Sequence, residues 1–474
     1  MILKNINHDC GYHTQKIATM FFPLEKITDG GNSDIEVITA KDENTITVSA
    51  RVYSKERTLS AVLQSDDTAH ELSLLMFNVL SDITGFEPPW GILYGVRPAR
   101  LMHATVQKLG VDGARQRFAS DLVKPQKTEL ALEVMQRENR IIELSKPDSF
   151  SLYVSIPFCP TRCSYCSFVS HSIEAAAQFI EPYVDLLCTE LEATAKAAKA
   201  LSLRLETVYF GGGTPTTLSA EQLARIMNTI ADNFDLSTLR EYTVEAGRPD
   251  TVTPEKLQAI RTLGADRVSI NPQTFNDEVR RKIGRRHTTE QTLAAFDMAR
   301  NAGFDNINMD FIAGLADETL QSFQSGIGKA IALGAESVTV HNLALKSAAY
   351  LVTENEFFDL TAKNTASAMV DFAYGKLTQN GYAPYYMYRQ SKSLGNLENV
   401  GYAKEGKECL YNIFMMDETH TVLAAGAGAV TKLRGASYNN IERVYNLKYP
   451  YEYIDRFDDI LARKQRIYDF YGNI

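Results

Sequence analysis

Residues 153–170 read YVSIPFCPTRCSYCSFVS and place Cys159, Cys163 and Cys166 in a C-x-x-x-C-x-x-C run. The run follows a short apolar stretch of strand type, residues 152–156. Three thiolates this close together can hold three irons of one [4Fe–4S] cube and leave the fourth iron open to a small chelating molecule. The stretch therefore predicts a cluster with an open iron at the end of a β-strand.

Zinc and a disulfide are the alternatives for these cysteines. No second C-x-x-C or H-x-x-x-H pair follows nearby, and His171 alone would be a poor fourth zinc ligand. The other cysteines, Cys10, Cys188 and Cys409, are scattered along the chain, which suits a reducing compartment better than a disulfide framework. The cluster interpretation is favoured over both.

From residue 151 onward the pattern alternates between strand and helix. Apolar runs of strand type occur at 152–156, 207–210, 242–246, 267–271, 306–312 and 337–343. Helical stretches lie between them at 176–199, 219–233, 253–263, 288–302 and 317–333, each long enough for a crossover. Six βα repeats predict an α/β fold with a parallel sheet, either doubly wound or curled into an incomplete barrel.

Polar groups follow these strands where each one ends. They are the cysteine loop, the segment 211–215 (GGGTP), Glu245, Gln273, Asp310 and residues 341–344. Because the carboxyl ends of parallel strands share one rim, we expect these groups to meet there.

The segments YVSIPFCPTRCSYCSF and VYFGGGTPT resemble sequence motifs of the radical S-adenosylmethionine (SAM) superfamily. Within that superfamily they resemble the oxygen-independent coproporphyrinogen III oxidase family. The resemblance spans roughly residue 152 to the C-terminus, and it selects the partial (β/α)6 barrel. It implies that SAM chelates the open iron and that one electron splits a carbon–sulfur bond to release a 5′-deoxyadenosyl radical. Cofactors implied are therefore a [4Fe–4S] cluster and SAM.

The resemblance also implies which residues bind the cofactors. The cluster ligands would be Cys159, Cys163 and Cys166, and the SAM-binding residues would be Tyr153, Tyr165, Gly212, Gly213, Thr214, Glu245, Gln273, Arg285, Asp310 and Ala344. The glycines of 211–213 would let the backbone approach SAM closely. Glu245 and Asp310 could accept from ribose hydroxyls, and Arg285 could pair with a carboxylate. After Glu245 the family has an apolar residue and proline, whereas this chain has AGRP.

Three regions are expected along the chain: an N-terminal α+β module with its connector (1–145), the radical SAM core (146–349) and a C-terminal α+β domain (350–474). In the first, two strands at 35–40 and 45–53 flank a turn at 41–44, and a helix at 68–84 begins at an N-cap Thr68 and stops at Gly85. The charged stretch 124–146 predicts a helical connector.

The segment 84–100, TGFEPPWGILYGVRPAR, has the proline and glycine content of a fixed strap. We interpret its Trp90 as an anchor on the next domain rather than as a substrate contact. This segment ahead of the core resembles the HemZ-type subgroup of the family.

The C-terminal region is rich in aromatics, which could stack on a flat conjugated ligand or pack a small domain against the barrel. Both interpretations stay open. Residues 423–440 are glycine-rich but lack the G-x-G-x-x-G spacing and preceding strand of a dinucleotide loop, so we expect a close-packed turn.

Charge and hydropathy exclude several classes of protein. The 49 basic and 58 acidic residues give a net charge of −9 with no basic tract, so nucleic acid is not an expected partner. The N-terminus lacks a secretory pattern and no window approaches the ~20 apolar residues of a membrane span, which predicts a cytoplasmic protein. A local basic group, residues 280–282 and 285–287, could bind an anionic small molecule such as a propionate.

The leading functional hypothesis is oxidative decarboxylation of coproporphyrinogen III propionates to vinyls, with an electron donor such as flavodoxin or ferredoxin. Well-studied oxidases of the family carry a further cysteine two residues after the third, where this chain has Phe168, and relatives with phenylalanine there include haem chaperones. A haem-binding chaperone with His341 or His420 as axial ligand is therefore the main alternative, although both histidines are interpreted more readily as structural. The third functional hypothesis is another radical SAM reaction on a tetrapyrrole.

Overall fold

The computed structural model describes residues 1–95, 97–166, 171–344, 360–435 and 440–472. Its strands form a four-stranded sheet, an eleven-stranded sheet and one two-stranded pair. Within these ranges, no helix has the length and apolar character needed to cross a membrane.

The four-stranded sheet belongs to the N-terminal module, whose elements alternate as the sequence predicts. They are β1 (Ile2–Ile6), α1 (Gly11–Phe21), β2 (Ile35–Asp42), β3 (Thr45–Val52), β4 (Lys55–Val62) and α2 (Thr68–Thr84). Every second residue of β3 is buried, so one face of the sheet packs against α2. The two predicted strands and the predicted helix are confirmed.

Two local predictions in this module differ from the structure. Asp67, not Thr68, caps α2, because its carboxylate accepts the backbone N–H of His70 at 3.0 Å. The turn between β2 and β3 is two residues long, because residues 41 and 42 continue the ladder with residues 46 and 45. Gly85 ends α2 at φ 70° as predicted.

Two long helices, α3 (Pro98–Ser120) and α4 (Pro125–Ile142), follow the module. A kink at Gly110 divides α3, where φ is 71°. Both helices bury apolar residues in the same cluster as the parallel sheet, so the predicted connector is helical and packs on the core.

The core alternates strands and helices in the predicted order. Its elements are β5 (Ser149–Ile156), β6 (Phe158–Cys159), β7 (His171–Ser172), α5 (Ile173–Ala200), β8 (Arg204–Gly212), α6 (Ala220–Asn233), β9 (Glu241–Glu245), α7 (Pro254–Thr262), β10 (Arg267–Ser269), α8 (Asp277–Lys282), α9 (Thr289–Asn301), β11 (Ile307–Ala313), α10 (Leu320–Ala332) and β12 (Ser337–Asn342). The six strands β5, β8, β9, β10, β11 and β12 are neighbours in that order and run parallel. The predicted α/β architecture is confirmed.

The C-terminal region contributes α11 (Leu360–Thr378), β13 (Ala383–Arg389), β14 (Glu398–Ala403), α12 (Leu410–Asp417), β15 (Thr421–Ala425), β16 (Val430–Arg434), β17 (Ile441–Tyr445), α13 (Pro450–Asp455), α14 (Phe457–Arg463) and α15 (Gln465–Gly472). Its strands continue the core sheet at both edges. β14 and β13 pair antiparallel beyond β12, while β15 pairs parallel with β5 and is followed by β16 and β17.

The eleven-stranded sheet curves around an internal cavity. Tyr386 and Tyr388 of one outermost strand, β13, line the same cavity as Arg443 and Tyr445 of the other, β17. Two sheet edges can face one space only if the sheet bends, so the parallel strands form a partial barrel.

Helix α12 packs against the concave face of this sheet. The carboxylate of Glu241 accepts the N–H of Leu410 at 2.5 Å and that of Tyr411 at 3.3 Å, which satisfies donors at the start of the helix. The Tyr411 ring then stacks on Tyr209 at 4.4 Å and on Tyr153 at 5.9 Å between centroids.

The strap, residues 84–100, connects both edges of the open barrel. Arg389 of β13 donates to the carbonyl of Leu93 at 2.7 Å, and Arg97 donates to Glu418, beside β16 and β17, at 2.5 Å. Trp90 is fully buried and donates to Glu398 of β14 at 2.7 Å. Trp90 is thus an anchor, as interpreted from the sequence, and its partner is a C-terminal strand.

Candidate active site

The cavity inside the barrel has a volume of about 730 Å³, within the usual range for ligand sites. Every residue predicted from the sequence to bind the cluster or SAM lines it. These residues are Tyr153, Cys159, Cys163, Tyr165, Cys166, Gly212, Gly213, Thr214, Glu245, Gln273, Arg285, Asp310 and Ala344. Groups that are widely separated in the chain therefore meet at the carboxyl ends of the parallel strands.

The cysteine loop is held by the segment that follows α8. Thr161 donates its hydroxyl to the carbonyl of Gly284 at 2.7 Å, and the N–H of Ser164 donates to that of Ile283 at 3.0 Å. The N–H of Cys166 donates to the carbonyl of Cys163 at 3.1 Å, closing a turn between the two cysteines. The loop is therefore held in place by hydrogen bonds to backbone carbonyls.

The three thiols fit a [4Fe–4S] cube. Each is a free cysteine and each lines the cavity. Among the described residues, no three His, Cys, Asp or Glu side chains are arranged to hold one metal ion. Three thiolates from one loop are the donor set of such a cube, in which each thiolate binds a different iron.

The glycine segment after β8 packs against the cysteine loop. The N–H of Gly213 donates to the carbonyl of Ile156 at 2.7 Å, and that of Thr214 donates to the carbonyl of Phe158 at 2.7 Å. A Cβ atom at Gly213 would lie 2.5 Å from the Phe158 oxygen, and Gly212 has φ 101°. Glycine is required here so that the turn can approach the start of the cysteine loop.

Replacing Gly213 with alanine is therefore expected to lower iron incorporation several-fold, because two backbone carbonyls would have to move and shift the loop. Iron and sulfide content after anaerobic reconstitution measures this. Gly328→Ala is the matched control, since a Cβ there meets nothing within 4 Å and alanine favours a helix by about 0.5–1 kcal/mol. Full reconstitution of Gly213→Ala would contradict this account of the turn.

Arg248 is a functional candidate that the sequence interpretation missed. Its guanidinium is buried and donates to the Thr161 hydroxyl at 2.9 Å, while Nη1 lies 3.8 Å from the Cys163 sulfur. Asp250 pairs with the other side of the guanidinium at 3.2 Å. The departure AGRP after Glu245 was the available signal, and the structure places its arginine against the cysteine loop.

Arg285 lines the cavity and interacts with Tyr165 and Cys163. Its Nη1 donates to the carbonyls of Gly247 and Asn271 at 2.9 and 2.8 Å, which fixes the side chain. Its buried Nε has no hydrogen-bond acceptor among the described residues. A buried N–H without an acceptor is costly, so this atom fits the carboxylate predicted to bind there.

The part-buried carboxyl groups Glu245 and Asp310 differ in protonation. Burial raises the pKa of Glu245 to about 7, although Tyr209 donates to it at 2.5 Å and opposes the shift. For Asp310, burial would raise the pKa, but hydrogen bonding from His341 and Asn308 brings it below its usual value. Asp310 is thus ionised at neutral pH, while Glu245 titrates there.

Gln273 has a left-handed backbone conformation, with φ 64°. Its N–H donates to the carbonyl of Asp310 at 2.9 Å, and its carbonyl accepts from Ile312 at 3.0 Å, so β11 enforces the conformation. Such backbones are uncommon for residues other than glycine and concentrate at functional sites. The strain supports the predicted role of Gln273.

Within the basic group at 280–287, Arg285 lines the cavity but Arg280 does not offer its charge to a ligand as expected. Arg280 is fully buried and donates to Asp277, to the carbonyl of Thr274 and to that of His287. Lys282 pairs with Asp317. The propionate-binding interpretation is therefore wrong for Arg280, because α8 and its surroundings already bind it, whereas the exposed pair of Lys282 leaves that interpretation untested.

The two candidate axial histidines have different surroundings. His420 does not line the cavity and lies between the hydroxyls of Ser145 and Ser151, each at 2.8 Å, where burial lowers its pKa to about 3. His341 lines the cavity 3.7 Å from Asp310. Only His341 is placed to meet a ligand in this cavity, and Phe168 lies outside the described residues.

Comparison with known proteins agrees with this geometry. Residues 153–325 match the model of the Radical SAM superfamily. The chain is 34% identical to the oxygen-independent coproporphyrinogen-III oxidase-like protein HemZ of Bacillus subtilis, over 96% of this chain and 95% of that protein. It is 31% identical to the heme chaperone HemW of Lactococcus lactis, over 64% of this chain and 74% of that one.

Among solved structures, the chain resembles coproporphyrinogen III oxidase (HemN) from Escherichia coli with a TM-score of 0.53. The two are 23% identical over 68% of this chain and 71% of the other. This likeness concerns the fold.

Proposed function

Because the chain belongs to the HemZ-type family of radical SAM proteins, we propose that it is an enzyme that oxidatively decarboxylates propionate side chains of coproporphyrinogen III. A carbon radical takes a hydrogen atom from the β-carbon of a propionate, and loss of carbon dioxide and of one electron to an external one-electron acceptor then leaves a vinyl group. The observation that supports this most is that the three thiols, the glycine turn and the buried polar groups all face one cavity. Flavodoxin or ferredoxin is the electron donor in this proposal.

The cluster and SAM, when bound, supply one-electron chemistry that makes a carbon radical able to abstract hydrogen. The chain's own residues bind and orient the reactants. Cys159, Cys163 and Cys166 hold the cluster, and the free Nε–H of Arg285 binds the SAM carboxylate. Glu245 and Asp310 accept hydrogen bonds from the ribose.

The cavity walls keep water from the reaction. The stacked rings of Tyr153, Tyr209 and Tyr411 form an apolar wall below the predicted SAM site. Exclusion of water protects a reactive radical from side reactions.

The role of Glu245 predicts a pH dependence of SAM binding. With a pKa of about 7, the carboxyl is protonated and a weaker acceptor below neutral pH, and ionised above it. SAM affinity should rise several-fold between pH 6 and pH 8, and Glu245→Gln should remove most of this rise. Equilibrium binding of SAM to the reconstituted protein measures it, with Glu290→Gln on an exposed helix face as the control. An unchanged pH profile in Glu245→Gln would contradict the assignment.

A haem chaperone is the second candidate, and the similarity to HemW favours it. In that function the protein binds haem stoichiometrically, with His341 as the cavity-facing axial ligand. His341→Ala should then abolish the haem spectrum, whereas His420→Ala should keep it, provided it folds.

One experiment separates the candidates. The reconstituted protein is incubated anaerobically with SAM, a reductant and coproporphyrinogen III. The products are identified by mass spectrometry. A divinyl product supports the proposal, since each decarboxylation removes one carbon dioxide and two hydrogens. An unchanged tetrapyrrole, together with stoichiometric haem binding in a separate titration, supports the chaperone. A methylated or ring-opened product supports another radical SAM reaction.

A further inference from the structure

Four cationic side chains surround one buried carboxylate beside the cavity. Glu418, whose side chain is 3% exposed, lies within ion-pair distance of Arg97 at 2.5 Å, Arg443 at 2.6 Å, Arg100 at 3.2 Å and Lys432 at 3.4 Å. We call these five residues the Glu418 cluster. One carboxylate cannot neutralise the three cations Arg97, Arg443 and Lys432, so the cluster has an excess of positive charge.

Part of this charge is offset locally. Glu418 caps the C-terminus of α12, and Lys432 donates to the carbonyl of Met415 in its last turn at 3.1 Å. The repulsion persists, because burial lowers the pKa of Lys432 and the nearby Arg97 and Arg443 lower it further. Like charges held together around a partly open space are typical of an anion site.

The Glu418 cluster has access to the cavity. Lys432 and Arg443 line it, and the Arg443 side chain is 40% exposed. Tyr445 and Met416 line the same wall and offer apolar contact to a flat ligand. Arginine is suited to carboxylates because its planar guanidinium can donate hydrogen bonds to both oxygens of one carboxylate.

The cluster is made by two distant parts of the chain. Arg97 and Arg100 come from the strap, whereas Lys432 and Arg443 come from β16 and β17. The N-terminal module thus contributes charges next to a cavity that is otherwise formed by the core and the C-terminal strands.

We propose that Lys432 and Arg443 of the Glu418 cluster bind carboxylates of a polycarboxylate tetrapyrrole, and that Arg97 of the strap, by sharing Glu418 with them, keeps their charge available to the ligand. This rests on the proposed function and deepens it, because it names the groups that recognise the non-reacting propionates. A neutral analogue of the same shape gains no binding affinity from the cluster. The cluster therefore favours tetrapyrroles that carry more carboxylates.

The test compares two ligands on one set of variants. Coproporphyrin III, with four carboxylates, and its tetramethyl ester, with none, are titrated into the reconstituted protein and followed by porphyrin absorbance. Losing one hydrogen bond between charged groups costs about tenfold or more in affinity. Arg443→Gln should therefore weaken coproporphyrin III at least about tenfold and leave the ester unchanged, and Arg443→Lys should recover part of the loss.

Controls separate recognition from structure. Arg97→Gln should give a smaller loss that is likewise selective for coproporphyrin III, because Glu418 is then shared by fewer cations and pairs more fully with Lys432 and Arg443. Trp90 fluorescence reports whether the strap stays in place. Arg466→Gln, which removes a partly exposed pair with Glu442, should bind both ligands as the unaltered protein does. Equal weakening of both ligands, or no weakening by Arg443→Gln, would overturn the proposal.

The outcome is independent of the catalytic assay. If the protein decarboxylates coproporphyrinogen III but Arg443→Gln binds coproporphyrin III normally, the inference fails and the function stands. If the loss is selective but no vinyl product forms, the binding site stands and the proposed reaction fails.

Discussion

Replacement of Cys163 with alanine is expected to abolish cluster binding. The unaltered protein should contain about four irons per chain after reconstitution, and the variant close to none, because two thiolates cannot hold a cube in an otherwise three-thiol site. No described cysteine can substitute: Cys10, Cys188 and Cys409 do not line the cavity. The expected loss of SAM cleavage exceeds the roughly 10–100-fold typical of removing an outer partner of a metal ligand.

Iron and sulfide analysis and the visible absorbance of the cluster measure this effect, together with deoxyadenosine formation. Cys188→Ala is the control, since this half-buried cysteine lies in α5 away from the cavity. Retention of iron by Cys163→Ala, or its loss from Cys188→Ala, would refute the assignment of the loop.

The second large effect is expected at Glu398, which connects the strap and α4 to β14. Its carboxylate accepts from Lys127 at 2.6 Å and from Trp90 at 2.7 Å, and all three side chains are buried. Glu398→Ala would leave the buried ammonium with only the part-exposed Asp371, and the indole N–H without an acceptor. Breaking a buried pair in this way costs about 3–5 kcal/mol of the free energy of unfolding.

Urea denaturation followed by fluorescence measures this loss directly, because Trp90 is the only tryptophan of the chain and lies at the altered site. Glu87→Ala, which removes an exposed pair with Lys124, should cost at most about 1 kcal/mol. Glu398→Gln keeps an acceptor for Trp90 and isolates the effect of the charge. Similar midpoints for Glu398→Ala and Glu87→Ala would contradict the predicted role.

The core fold could be predicted because each of its strands and helices is marked by a pattern within its own short stretch of sequence. Strands buried on both faces contain short apolar runs, such as residues 208–210 in β8, and the intervening helices have length and caps that mark their ends. The cysteine spacing and the polar residues after each strand placed the candidate site at one rim. The cavity lining agrees with that placement, while the cofactor roles of these residues stay predictions.

What the sequence did not reveal depends on contacts between distant residues. The charged residues at 280–287 are close together in the sequence and therefore suggest a ligand site. In the folded chain, however, Arg280 is bound by Asp277 and by backbone carbonyls around α8. The pairing of Arg97 with Glu418 spans most of the chain, and no local pattern predicts it. Arg248 was visible as a departure from a motif, and only the fold shows that it reaches Cys163.

The position of β15 beside β5 has a consequence for biosynthesis. β5 leads into the cysteine loop, and one of its two neighbours, residues 421–425, leaves the ribosome long after β5 itself. Until then β5 is an open strand edge, which invites association with other chains. Maturation of the metal centre should therefore follow completion of the polypeptide, and nascent chains that stall before residue 421 should depend on chaperones.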